Sequence, residues 1–561
     1  MARLRRARRE LVGAAPLILL LLVVFGAPAL RAAEIASDEL WQGEVLVEET
    51  TEVLAGATLT IAPGTTVRFE DGVRLVVRGR LVAEGEEADQ IRFTRARSGA
   101  EWGGIRLIRA EKSRIRHAIV EYVDSEGDHK DYYDDFDESC QPILSPRPPR
   151  DYHEAVVAIA CELEIDSSIF RNLPDPGGQG DAIAVISDDP VDPGTASAVI
   201  TDSEFIAIGQ GIHTRYSHVL VEGCYFTGHR GDNDDIDLFG ESDPPPLIRG
   251  NIFEDPENDD AINPTRSSAI IVGNIITGSN DHGIVLRDRC APVVMNNVIV
   301  DCDSAAISVQ NTCDALIVNN TIYDCGRGVR FFDHTGRWGL PYCLTPGNGR
   351  ATVVNTVIAN CRTSFDLEDS TYEPLRGAHV LVLYSSVEGG EETVDIDGSE
   401  STVTWGEGNM DVDPMFVDPE NGDFRLAEGS LLIDSGTEES APLEDLAGHA
   451  RPCGLGVDVG AYEAGDCATG ELRFRRGDVN GRGGEDISDP IALLLHLFAG
   501  REAPPCEKAA DVDDSGSLEL TDSVYLLSYL FQSGSPPSAP YPECGVDPTA
   551  DELACVEAEC E

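Results

Sequence analysis

From Leu247 onward, apolar and polar positions recur with a fixed step of 23 residues. Ile248, Ile271, Val294 and Ile317 form one apolar column, Phe253, Ile276, Ile299 and Ile322 a second, and Asn251, Asn274, Asn297 and Asn320 a polar one. A 3.6-residue stripe is absent. Instead, short β-branched runs such as AIIVGNIITG and LIVNNTIYD are punctuated by Gly, Asn and Asp. Short strands at a coil-length period predict an all-β parallel β-helix, in which each coil stacks on the last at about 4.8 Å. The crossover preference predicts a right-handed solenoid. Inward Asn amides at a bend would hydrogen-bond between coils and satisfy each other. Cys290 and Cys313, like Cys302 and Cys325, keep the same step. Stacked Cα atoms lie in disulfide range, and a ladder of buried thiols fits the spacing equally well.

The stretch Leu54–Gly85, LAGATLTIAPGTTVRFEDGVRLVVRGRLVAEG, alternates apolar and polar residues between Gly-marked turns. It resembles the opening coils of bacterial exported right-handed β-helix proteins. Asp413–Gly436 and Gly456–Asp466 are similar to the closing segment of that family. The resemblance spans Glu34 to Asp466, with a closing segment over 409–466. It is interrupted at 124–152, a polar, Pro-rich stretch expected to leave the solenoid as a loop. Tyr132, Tyr133 and Phe136 there could stack on a sugar or simply be solvated. Ahead of the solenoid, five arginines precede the apolar run Ala15–Phe25 and small residues follow, the pattern of an export signal over residues 1–33. An uncleaved anchor helix is the alternative; otherwise the mature chain is expected to be secreted, to the cell surface or beyond.

Charge narrows the partners. Asp and Glu number 100 against 42 Lys and Arg, a formal −58. Such a balance excludes nucleic acid, whose phosphates need a basic stripe, and leaves cations, neutral glycans or a basic protein. Fifteen cysteines suit an oxidising compartment, and the odd number leaves at least one outside intramolecular bridges. Cys506, Cys544, Cys555 and Cys560 are expected to staple the last segment with two of them.

The candidate chemistry lies in three acidic stretches: RGDNDDIDLFG from Arg230, ENDDAIN from Glu257 and NDHGIVL from Asn280. Registering the repeat places Asn233, Asp259, Asp281 and Ser304 in one column, and Asp234, Asp260, His282 and Ala305 in the next. Stacked carboxylates about 5 Å apart repel by about 3 kcal/mol at an effective dielectric of 20. They must share protons, bind a cation such as Ca²⁺, or splay into water as turn-building residues. The cluster also resembles polygalacturonase-type glycoside hydrolases, which carry N-x-D, D-D and G-H-G on successive coils. That likeness implies that Asp235, Asp259 and Asp260 supply acid and base while His282 orients one of them. Asp281 replaces the first Gly of G-H-G, and no R-x-K follows, since no lysine lies between Lys130 and Lys508. A lyase would have to draw on Arg287, Arg289, Arg327 or Arg330.

After a linker over 467–476 the text changes. Gly477–Phe498 and Ala510–Phe531 are a loop–helix unit repeated at an offset of 33. Each loop opens on D-x-[ND], has Gly at its sixth position and Asp at its twelfth, which is the oxygen-ligand pattern of an EF-hand-like loop. The pair, within 477–561, resembles type I dockerin modules, which fold around Ca²⁺ and bind cohesin domains. The likeness implies ligands at Asp511, Asp513, Ser515, the Ser517 carbonyl, Glu519 and Asp522. In loop one it implies Asp478, Asn480, the Gly484 carbonyl, Asp486 and Asp489, with Arg482 standing where an oxygen ligand is wanted. The reading is thus a secreted β-helix that engages extracellular polysaccharide as a binding or scaffold protein, with a Ca²⁺-dependent assembly module and a cohesin-like partner. The alternative is a polysaccharide-degrading enzyme acting at the acidic corner.

Overall fold

The computed structural model describes residues 33–124, 154–173, 182–187, 195–228, 234–254, 260–333, 348–370, 377–465, 474–481, 485–499, 503–532 and 534–542, with short stretches at 29–30, 501, 544–545, 549, 553 and 555. The export signal (apart from 29–30 and 33), the inserted loop beyond Asp124, Asn233, Asp259, Arg482, Gly484, Cys560 and most of the linker fall outside them. The chain divides into two compact units, one to Gly465 and one from Asp466.

In the first unit, strands recur in sets of three, and each set adds one strand to each of three parallel sheets of 14 strands. The first sheet runs from Ala29–Leu30 to Ser386–Val387, the second from Glu34–Ile35 to Val394–Asp397, and the third from Glu39–Trp41 to Thr402–Trp405. This is a parallel β-helix, because a strand's hydrogen-bond partners are its counterparts one coil before and one coil after. Ile248 pairs with Ile271, Val294 and Ile317 in turn, and Phe253 with Ile276, Ile299 and Ile322. Alternation along each strand puts one face inside, and those residues form one continuous apolar core from Ile35 to Val387. Phe170, Phe205, Phe226 and Phe253 stack along it with ring centroids 5.2, 4.6 and 4.7 Å apart, close to the coil spacing itself.

The Asn column sits at the bend between third-sheet and first-sheet strands, fully buried. Each amide donates to the oxygen of the next: Asn251 to Asn274 at 3.0 Å, Asn274 to Asn297 at 2.9 Å, Asn297 to Asn320 at 3.0 Å. Each oxygen also accepts the backbone N–H of the preceding Asn, so one side chain serves two coils. The Cys columns divide. Cys290 and Cys313 are bridged, whereas Cys302 and Cys325 remain thiols, joined in their column by Cys361.

Just after Trp405 the chain continues onto the last coil, where Met410 bridges to Ser386. It then runs back along the outer face of the first sheet, where Leu426, Leu432 and Val459 pack on Val357 and Ala359, and Phe424 and Ala461 on Val298. It is fastened by asparagines that occupy left-handed bends. Asn319 donates to the carbonyls of Asp458 and Gly460 at 3.0 and 3.1 Å, and Asn355 to that of Thr437 at 2.7 Å. Asn tolerates that backbone region better than other non-Gly residues, and here its amide is used as well.

The second unit carries three helices among its described residues: α1 (Ser488–Ala499), α2 (Glu507–Ala510) and α3 (Leu520–Gln532). Val479, Leu493, Ala510, Val512 and Leu526 form its core. Cys506 is bridged to Cys555, and Cys544 is also disulfide-bonded. No helix among the described residues is long and apolar enough to cross a membrane.

Asn297→Ala should remove two rungs of the ladder and leave the Asn274 N–H buried without its acceptor, a loss on the order of 3 kcal/mol. Hydrogen exchange should show amides of the coils around 274–320 deprotected, while coils near Val67 keep their protection.

Candidate functional site

The acidic stretches lead into consecutive strands of the second sheet: Ile236–Phe239, Asp260–Thr265 and His282–Arg287, followed by Ala305–Gln310 and Arg327–Phe332. Their outward positions form columns. Asp260 stacks on His282 and His282 on Ala305. Beside them run His213, Asp237 and Asn263, and further along the coil Thr265, Arg287 and Gln310.

His282 is the centre of the first column. It is 5% exposed, and its Nδ1–H donates to Asp260 Oδ1 at 2.9 Å and lies 3.2 Å from Asp281 Oδ2. Asp260 Oδ1 also accepts the His282 backbone N–H at 3.1 Å. Burial opposes charging the ring, but the hydrogen bonds and negative charge of Asp260 and Asp281 outweigh it and raise the pKa to about 9. Burial would likewise push Asp281 up, yet His282, Ser304 and Arg330 hold its carboxyl below the usual range. The corner is therefore an imidazolium clamped between carboxylates. That pairing resolves the repulsion expected of stacked acids, and a metal ion there would have to displace the imidazolium proton.

The neighbouring columns are paired in the same way. His213 Nδ1–H donates to Asp237 Oδ2 at 3.1 Å, and the Asn263 amide donates to Asp234 Oδ2 at 2.7 Å. Arg287 Nε donates to Gln310 Oε1 at 3.0 Å, and Gln310 in turn to Ser308 Oγ at 3.0 Å. Arg330 bonds Glu368 at 2.7 Å and lies over the Phe332 ring, and Arg327 is paired with Asp366. Of the residues expected from sequence, Asp260 and His282 meet directly. Asp235 is fully buried, with its backbone N–H bonded to the Asp260 carbonyl at 3.1 Å, so acid or base work on an outside substrate would fall to the other members. Sequence reasoning missed His213, Asp237, Asn263 and Gln310. His213 to Asp237 is a step of 24 and Asp237 to Asn263 one of 26, so a fixed 23 does not align them.

In the second unit, Asp511, Asp513 and Asp522 each present an oxygen, all within 4.8 Å of one another. The loop is held open by its own backbone. Asp511 accepts N–H groups of Ser515 and Gly516 at 2.9 and 2.8 Å, and Asp522 those of Val512 and Glu519 at 2.7 and 2.9 Å. Asp513 Oδ1 is buried without a hydrogen-bond partner, and so is Asn480 Oδ1 at the same position of loop one. Asp489 repeats the role of Asp522, accepting from Asn480 and Asp486 at 3.1 and 2.7 Å. Burial, with Asp513 and Asp511 nearby, pushes Asp522 up to about 6, and burial with Asp478 and Asp486 raises Asp489. Arg476, 2.8 Å from Asp514, offsets part of this charge. Clustered carboxylates with an orphaned buried oxygen fit a hard cation such as Ca²⁺. In loop two, Asp511, Asp513 and Asp522 would hold it. Ser515 Oγ lies 3.3 Å from Asp511 Oδ1 and from the Ser517 carbonyl, and Glu519 follows. Loop one offers Asp478, Asn480, Asp486 and Asp489.

Known proteins resemble the first unit. The family model described as a right handed beta helix region matches residues 161–340 and 247–404. Among solved structures, the periplasmic alginate epimerase AlgG is 13% identical over 67% of this chain and 78% of that one, with a TM-score of 0.37. A PL6 family polysaccharide lyase from Pseudopedobacter saltans is 12% identical over 70% and 98%, with a TM-score of 0.35. The GH136 lacto-N-biosidase from Eubacterium ramulus is 12% identical over 63% of each chain, with a TM-score of 0.33. A comparison with curated sequences finds no match. The family match thus falls within the first unit, whose three stacked parallel sheets make it a parallel β-helix.

The His282 pairing sets a pH dependence of stability. A folded pKa of about 9 against an ordinary 6.5 means that the ion pair contributes fully below about pH 6.5 and is lost as pH rises through 9. The wild type's stability advantage over His282→Gln should therefore shrink by on the order of 3 kcal/mol between about pH 6.5 and pH 10. Urea denaturation at several pH values measures it.

Proposed function

We propose that the protein is an exported, non-catalytic polysaccharide-binding scaffold that engages a neutral glycan along the outer face of the second sheet. One observation carries this reading. The outward charged side chains around His282 are hydrogen-bonded within the face, so the surface offers donors and acceptors of fixed orientation. Such a surface suits sugar hydroxyls better than a polyanion, which the chain's −58 would also repel. Glycoside hydrolysis is the second reading, favoured by the contact of Asp260 with His282. It requires a carboxyl kept protonated to donate to the leaving oxygen. Asp281 is instead held ionised, and the imidazolium proton of His282 is already shared between two carboxylates.

Calorimetric titration with soluble neutral glycans and polyuronates tests this. A neutral glycan should bind, and Arg287→Ala should weaken it about tenfold, or 1.4 kcal/mol, with no reducing ends released. Release of reducing ends that Asp260→Asn abolishes would establish hydrolysis instead, and tighter binding of polyuronate would overturn the neutral-glycan reading.

We further propose that the C-terminal unit is a Ca²⁺-dependent dockerin-like module that docks a cohesin-like protein domain. Ile487, just ahead of α1, and Ile491 and Phe498 along it are exposed, and Leu520, Val524 and Phe531 recur at an offset of 33 along α3. Apolar side chains repeated on the outside of both helices suit a partner surface better than solvent. Adding Ca²⁺ to chelated full-length protein should raise hydrogen-exchange protection in 511–522, and Asp511→Ala should abolish the gain. Ile491→Asp combined with Val524→Asp should leave that gain intact but remove capture of the partner domain.

A further inference from the structure

Cys302, Cys325 and Cys361 lie on three successive coils, each just after a first-sheet strand. The strands are in register, Val300 with Tyr323 and Tyr323 with Ala359. The Cys302 N–H donates to Cys325 Sγ at 3.5 Å, and the Cys325 thiol is hydrogen-bonded to those of both Cys302 and Cys361. At the next bend round the coils, Cys290 and Cys313 have the same one-coil offset and are bridged across a Cα separation of 4.7 Å. The coil spacing thus brings stacked cysteines into bonding range, yet these three are thiols. They line a cavity of about 630 Å³ whose other walls include Asp301, Asp303, Asp324 and Glu388, against one cation, Arg362. Cys361 is half-buried, and the other two are buried.

We propose that this ladder is an oxidisable site selective for small cationic disulfides, with Cys361 the entry thiol and Cys325 the resolving one. Cys361 loses its proton to solvent, and its thiolate attacks one sulfur of the reagent, breaking the reagent's S–S bond. A mixed disulfide forms, and one reagent thiol leaves with a proton. The Cys325 thiolate then attacks Cys361 Sγ and displaces the second reagent thiol. Two protein thiols are oxidised and one disulfide is reduced. Cys325 stands between its neighbours and can bond only one of them, so Cys302 is left as a thiol. The hydrogen bond to Cys325, together with burial, holds the Cys361 thiol well above its ordinary range. Exchange should therefore be slow at neutral pH and accelerate as pH rises. The acidic wall draws in a diamine disulfide and repels an anionic one.

Full-length protein is treated with cystamine or with oxidised glutathione at equal concentration, and peptide mapping follows the linked Cys325 and Cys361 peptides. Cystamine should react at least about tenfold faster at low salt. That advantage should vanish near 1 M salt, where the screening length falls to about 3 Å. Cys361→Ser should abolish the product, and Cys302→Ser should retain it. Equal rates with the two reagents in wild-type protein would overturn the proposal without recourse to any variant. So would a wild-type rate in Cys361→Ser, or a cross-link formed at Cys161 or Cys224.

Discussion

Every strand in the solenoid hydrogen-bonds only to its counterparts on the coils before and after it, and that constraint governs what each position can hold. A side chain one coil away is always within contact, so a column must be compatible with itself. Phe satisfies this by stacking, as from Phe170 to Phe253. Asn satisfies it with one donor and one acceptor per rung. A carboxylate has only acceptors and cannot. Several outward columns set acid against donor: Asp166 meets Arg116 and the Thr201 hydroxyl, Glu222 meets Arg249, and Asp260 meets His282, whereas Asp366 over Asp395 and Glu368 over Asp397 near the last coil draw on Arg327 and Arg330 instead.

The same rule explains what could be read from the text. Where coil length stays at 23 residues, letters a fixed step apart become neighbours, and the Asn column was legible; the Asp260–His282 contact, at a step of 22, came from lining up the acidic stretches themselves. Where coils lengthen, arithmetic fails. Arg114 pairs with Glu164, 50 residues on, across a coil that contains the inserted segment. The His213–Asp237–Asn263 column was invisible for that reason, since no single period aligns its members. Asp235 was singled out by likeness to another family's spacing, and likeness carries no information about which side of the backbone faces inward. The clustering of Asp511, Asp513 and Asp522 was legible because those residues are close in sequence. The exposed apolar pairs at Ile487 and Leu520, Ile491 and Val524, and Phe498 and Phe531 were hidden, since periodicity alone does not separate a buried helical stripe from an exposed one.

Paired columns also bear on the choice between binding and catalysis. Acid–base chemistry needs groups whose environments push their pKa values apart and leave one proton available to a substrate. In the corner at His282, the proton is placed between two carboxylates that both favour keeping it, and the shift of the imidazole to about 9 measures that preference. A group so held is a poor donor near neutrality and a good structural pin. What remains for a ligand is the outer surface of the network: the rim of Asp281 and the Arg287 and Arg330 guanidinium edges, held from beneath by the buried Gln310 and by Glu368. Their orientation is fixed by partners inside the protein, so a sugar that meets them would order few side chains on binding. Preorganisation of that kind lowers the entropic cost of recognition. It follows from the constraint that builds the solenoid, because a column that must satisfy itself between coils is already rigid when a ligand arrives.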